Sequence, residues 1–194
     1  MSRSWSQDDP LRAVRYQERF ARLEASGTSV HGEADFVAAL HPSSVLDAGC
    51  GTGRVAAELG RRGFDVCGTD RDPAMLAVAR ERSPDLRWVE ADLADPAFDL
   101  GRRFAVVVAA GNVMLFIDPG TEAAVVAHLA RHVEPGGALV AGFQLEPRGL
   151  TLARYDEVAS AAGLVLTDRF ATWDRQPFAP GGAYAVSVHR RAPL

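Results

Sequence analysis

Short apolar runs along this chain alternate with segments whose apolar residues recur at helical spacing. The runs predict strands at residues 44–47, 65–69, 86–90, 104–109, 137–143, 164–173 and 184–190. Between and around them, helices are predicted at residues 10–25, 32–40, 54–62, 73–82, 121–132 and 154–162. Regular strand–helix alternation implies an α/β fold built on a mainly parallel sheet. Only a loop separates the last two strands, so they are expected to pair as an antiparallel hairpin. Two stretches read as linkers: residues 26–29, and residues 176–182, a Pro- and Gly-rich rim between those final strands.

The first strand runs straight into the stretch Asp47-Ala48-Gly49-Cys50-Gly51-Thr52-Gly53-Arg54. Glycines at alternate positions let a backbone turn sharply and approach a ligand closely. Strand, tight loop and helix N-terminus in that order suit a nucleotide-type ligand. The dinucleotide fingerprint requires glycine at the first, third and sixth positions. Counted from Gly49, the sixth position is Arg54, and the third glycine stands one place early at Gly53.

What the stretch from Val45 to Gly53 resembles is the first motif of class I S-adenosylmethionine (SAM) dependent methyltransferases. That signature is two hydrophobic residues, Asp, any residue, then three glycines at alternate positions. The resemblance covers residues 31–190 and implies a three-layer Rossmann-like fold. Its sheet would have seven strands, mostly parallel, with a C-terminal antiparallel hairpin. One domain is expected over residues 1–194, with residues 1–40 as a helical cap and 41–194 as the cofactor-binding core. The resemblance also implies a cofactor set of Tyr16, Asp47, Gly49, Cys50, Gly51, Gly53, Asp70, Arg71, Met75, Asp92, Leu93, Ala110 and Gly111. Asp70, roughly 20 positions after Asp47 at a strand tip, is placed to accept from the ribose hydroxyls. Met75 would neighbour the adenine ring, with Asp92 accepting from the adenine amino group. Asp72, just ahead of Pro73, reads as a helix cap. The turn at Pro135-Gly136-Gly137 is expected to lead from a helix into strand five.

Composition narrows the acceptor. With 194 residues, 47 % of them hydrophobic, the chain can bury one substantial core. A net charge of −4 gives no basic footprint for a phosphate backbone, so nucleic acid is not expected as a partner. All 21 basic residues are arginine, a bias spread through the whole chain. A polar N-terminus and the lack of a long apolar span predict no membrane partner. Cys50 and Cys67 are expected to be free thiols in a cytoplasmic protein, and the assembly a monomer or homodimer. The loop after strand four lacks the prolines of enzymes that methylate planar amines, and neither cysteine stands there to serve as a nucleophile. A small-molecule acceptor is therefore the expected partner.

The acceptor site itself is less marked. Tyr16, Phe20, His31 and Glu33 bring useful chemistry to the N-terminal segment, where His31 could act as a general base oriented by Glu33. Asn112 completes the candidate catalytic set, with Phe116, Phe143, Gln144 and Trp173 as candidate pocket residues at the strand tips. The same residues have plainer readings: Glu33 and Asp35 as first-turn acids of a helix, Tyr16 and Phe20 as the buried face of the first helix, and the aromatics as core. His128 and His132 are four apart on a helix, but no third ligand accompanies them, so no metal is expected and both read as surface residues. Two other functions stay open: a non-catalytic SAM-binding protein, and a NAD(P)-linked oxidoreductase-type domain that would also use Gly49, Gly51 and Asp70.

Overall fold

The computed structural model describes residues 30–146 and 149–194, together with Glu18 and Arg22. The expected helix at 10–25, and with it Tyr16 and Phe20, lies outside the described residues except for those two positions. The described elements are α1 (Gly32–Ala38), β1 (Ser44–Ala48), α2 (Arg54–Arg61), β2 (Asp65–Asp70), α3 (Pro73–Arg82), β3 (Arg87–Glu90) and β4 (Phe104–Ala109). They continue as α4 (Val113–Phe116), α5 (Glu122–Arg131), β5 (Val133–Gln144), α6 (Leu152–Ala161), β6 (Leu164–Phe170) and β7 (Tyr184–Arg191).

The seven strands form one sheet in the order β3-β2-β1-β4-β5-β7-β6. The first five run parallel, and β7 lies antiparallel between β5 and β6. The expected α/β architecture and C-terminal hairpin are both present. Period-two alternation divides the central strands between two cores. Val45, Val106, Val108 and Val140 face α1 and α2, whereas Leu46, Val107, Leu139 and Phe143 face α5 and α6. Chain order reverses on either side of β1, so the tips of β1 and β4 diverge there and leave a crevice, the place where open α/β sheets take ligands.

A side-chain cap sets the start of α3: Asp72 accepts from Ala74 N–H at 2.9 Å, with Pro73 at the first helical position. Two expectations shift. β5 begins at Val133, not after the glycines: Glu134 to Gly137 form a bulge within the strand, between the pairs Phe104↔Val133 and Val106↔Ala138, which accommodates Pro135. β6 ends at Phe170, because the chain then turns and Ala171 N–H bonds Gln176 O at 2.8 Å. Trp173 therefore sits in a turn.

Candidate active site

A cavity of about 380 Å³ opens at the crevice, within the roughly 300–1,000 Å³ of small-molecule sites. Its walls come from the β1–α2 loop (Gly49, Cys50, Gly51), the tip of β2 with α3 (Asp70, Arg71, Met75), and residues 91–94 after β3. The β4–α4 segment (Ala110 to Val113, then Phe116 to Asp118) and Gln144 at the end of β5 complete them.

The glycine loop is held open by its own backbone. Gly49, Gly51 and Gly53 have φ of 74°, 55° and 76°, conformations that an L side chain adopts only under strain. A Cβ on Gly51 would meet nothing within 4 Å, so its free side is open space facing the cavity. A Cβ on Gly49 would strike Val113 Cγ2 at 2.6 Å, and one on Gly53 would strike the Trp88 ring. Gly49 thus permits close approach of α4. Gly53, expected at the cofactor, lies off the cavity wall and permits packing of Trp88.

Asp70 braces the loop from below. One carboxylate oxygen accepts Gly51 N–H at 2.8 Å and the other accepts Asp72 N–H at 2.9 Å. Burial raises its pKa, and those same backbone donors pull it back. Asp92 accepts Ala94 N–H at 2.8 Å, and Arg71 reaches across the mouth with Nη1 3.5 Å from Asp118 and 3.7 Å from Asp92. Burial, with the nearby Asp47 and Asp70 charges, also pushes the Cys50 thiol up.

Several expected site residues lie elsewhere. Asp47, 2 % exposed, points away from the cavity and accepts Ala56 N–H at 3.0 Å, fixing the first turn of α2 to β1. Burial raises its pKa to about 7. Glu33 is bound to Arg54 through two bonds of 2.9 and 2.5 Å, and Arg54 also donates to Val30 O. The residue that departs from the dinucleotide pattern thus ties α1 to α2. His31 caps α1 off the wall, its carbonyl accepting Asp35 N–H at 2.8 Å. Phe143 is fully buried against Tyr155, with ring centres 5.4 Å apart. Trp173 packs on Phe36 and donates to Tyr184 Oη at 3.0 Å. Neither aromatic reaches the cavity.

His128 and His132 are buried rather than at the surface. His128 Nδ1–H donates to Leu93 O at 2.9 Å, and His132 donates from Nδ1 to His128 O while Nε2 accepts Leu100 N–H at 3.0 Å. The pair anchors the segment after β3 to α5. Among the described residues no group of three or more His, Cys, Asp or Glu side chains is placed to hold a metal ion. No helix among them is long and apolar enough to cross a membrane. The wall residues Ala91, Ala94, Val113, Ile117 and Asp118 were not anticipated. Three of them flank or belong to α4, whose four residues are too few to show a period.

Gly51's open backbone, two accepting aspartates at strand tips and the sulfur of Met75 fit an adenosyl group with a cationic tail. Comparison with known proteins agrees. The profile of a family described as a methyltransferase domain matches residues 45–137. The crystal structure of a TehB-like SAM-dependent methyltransferase from Corynebacterium glutamicum is 35 % identical, with a TM-score of 0.87 over 94 % of this chain and 100 % of that one. A dTDP-3-amino-3,6-dideoxy-alpha-D-glucopyranose N,N-dimethyltransferase of Streptomyces fradiae is 34 % identical over 173 residues, 86 % of this chain and 66 % of that protein. A dTDP-3-amino-3,4,6-trideoxy-alpha-D-glucopyranose N,N-dimethyltransferase of Streptomyces venezuelae is 37 % identical over 110 residues. There the chain spans about half of the relative, 46 % of its length.

Proposed function

Because the chain belongs to the SAM-dependent methyltransferases, we propose that it carries a methyl group from S-adenosylmethionine to a small-molecule acceptor bound in the same cavity. The observation that carries this is the Gly51 cradle: open backbone at φ 55°, held by the buried Asp70 carboxylate on the wall of a cavity of about 380 Å³. When bound, the cofactor supplies a methyl carbon already activated by its sulfonium. What this chain must then do is hold an acceptor atom in line and exclude water, and orientation accounts for most of the rate.

In this reading Gly49, Cys50 and Gly51 line the cofactor's amino-acid portion, and Asp70 accepts from the ribose hydroxyls. Met75, Asp92 and Leu93 enclose the adenine. Asp70 keeps acceptor capacity for that task, since its two carboxylate oxygens offer about four lone-pair sites and accept from the backbone of Gly51, Asp72 and Arg71. The acceptor then occupies the half bounded by Asn112, Val113, Phe116 and Gln144. The sugar N-methyltransferase relatives make a hydroxylated or amine-bearing small molecule the first acceptor class to screen.

Parallel calorimetric titrations with SAM, S-adenosylhomocysteine (SAH) and NAD test the proposal. Micromolar binding of the first two, about −8 kcal/mol, with none for NAD, is the expected result. Binding of NAD alone would overturn it. A screen of acceptors then separates a transferase, which releases SAH, from a SAM-binding protein without turnover.

A further inference from the structure

β4 makes its last ladder pair with β5 at Ala109↔Ala141, yet β5 continues to Gln144. Beyond Ala141 the side of β5 turned toward β4 has lost its neighbouring strand, while the other side stays paired to β7 as far as Gln144↔Tyr184. Exposed ladder groups of this kind need partners. One residue supplies two of them. Asn112 donates its backbone N–H to Gly142 O at 3.3 Å, and its side-chain Oδ1 accepts Gln144 N–H at 2.9 Å.

Asn112 stands in the left-handed region at φ 69°, directly after Gly111 at φ 66°. A second glycine would take that conformation without strain, and Asn tolerates it better than most residues. What Asn adds over Gly is an acceptor at the end of a short side chain. A backbone N–H can only donate, so the atom meeting Gln144 N–H is the amide oxygen and the orientation of the Asn112 amide is determined. α4 begins at the next residue, with Leu115 N–H bonded to Asn112 O at 2.8 Å.

We propose that Asn112 is a positioning residue: acting as a surrogate strand, it pins α4 to the end of β5 and so sets the separation of Val113 and Phe116 from Gln144 across the cavity. In this proposal Asn112 acts through α4 and Gln144 rather than on the reacting atoms, and its link to an acceptor rests on the methyltransferase reading. The device makes pocket width a property of one side chain.

Three variants test it: Asn112→Asp keeps both the acceptor and the tolerance of left-handed φ, Asn112→Gly keeps only the backbone, and Asn112→Ala keeps neither. Two measurements are made on each: amide exchange at Gln144 by NMR without ligand, and the Kd for SAH by calorimetry. Asn112→Gly is expected to speed Gln144 exchange and, because α4 carries Val113 against the cofactor-lining Gly49, to weaken SAH binding by roughly 2- to 10-fold, the worth of one hydrogen bond. Asn112→Asp should restore both, and Asn112→Ala should be the most affected. If the Ala variant does not fold, the Asp and Gly pair still decides. Wild-type exchange in Asn112→Gly, or equal damage in Asn112→Asp and Asn112→Gly, would overturn the proposal. Failure of the wild type to bind SAH would count against the methyltransferase reading, while the exchange measurement would still judge the pin.

Discussion

Replacing Asp47 by Asn should stabilise the protein at pH 8 and leave it little changed at pH 5. Asp47 is 2 % exposed, and burial raises its carboxyl from the ordinary 3.8 to about 7. The Arg54 charge offsets part of that effect, whereas Asp70 and Glu33 add to it. A folded-state pKa above the unfolded one means that the folded protein binds the proton more tightly, so stability falls as pH rises between about 4 and 7. Above pH 7 the whole cost is present. About three pKa units at 1.36 kcal/mol each give about 4 kcal/mol. Asn keeps an oxygen for Ala56 N–H and carries no charge, although its amide N–H₂ needs partners of its own, which offsets about 1–3 kcal/mol. At roughly 2–4 °C per kcal/mol for a chain of this size, the net gain at pH 8 is about 2–12 °C in Tm. Asp70 shifts in the same direction in both proteins, and only its coulombic coupling to Asp47 enters the difference. Thermal unfolding of wild type and Asp47→Asn, followed by circular dichroism from pH 4.5 to 8.5, measures it. An equal Tm gap at both ends of that range, or a less stable variant at pH 8, would refute the reasoning.

Gly51→Val places a branched side chain at φ 55° in the open space of the cradle, and should weaken SAH binding at least tenfold in calorimetry, about 1.4 kcal/mol. Asp70→Asn must set an amide N–H₂ against one of the backbone donors of Gly51 and Asp72; leaving that donor unsatisfied costs about 1–3 kcal/mol, read as a lower Tm and weaker SAH binding. Glu33→Gln takes the countercharge from Arg54, whose side chain is 10 % exposed, and should cost roughly 3 kcal/mol by urea denaturation. Tyr155→Phe removes a buried hydroxyl with no hydrogen-bond partner among the described residues, so Tm should hold or rise, and a fall of several degrees would refute that reasoning.

The alternation of strands with helices and the glycine loop were legible because each rests on a local rule. Seven apolar runs alternate with helical patterns, and alternate glycines have few uses other than a tight turn against a ligand. The site was legible where it lies on that loop or at a strand tip: Gly49, Gly51, Asp70 and Asp92 all reach the cavity. Reading failed where the outcome depended on which of two neighbours faces inward. Phe143 and Gln144 are consecutive on β5 and must point to opposite faces. Phe143 lies in register with Ala141 and Leu139 of the core facing α5 and α6, so Gln144 alone is left for the cavity. Applying the period of two to the strand end would have separated them. Glu33, Arg54, His128 and His132 failed for a different reason. Each is a polar residue whose partner lies far along the chain, such as Leu93 O for His128, and pattern alone gives no partner at that range. Asn112 joins both cases: its left-handed turn follows from the Gly-Asn pair, but the Gln144 N–H it satisfies exists only because β5 outruns β4. Chain order thus determines which loops meet over the sheet, and unequal strand lengths determine which side chain must finish the ladder there.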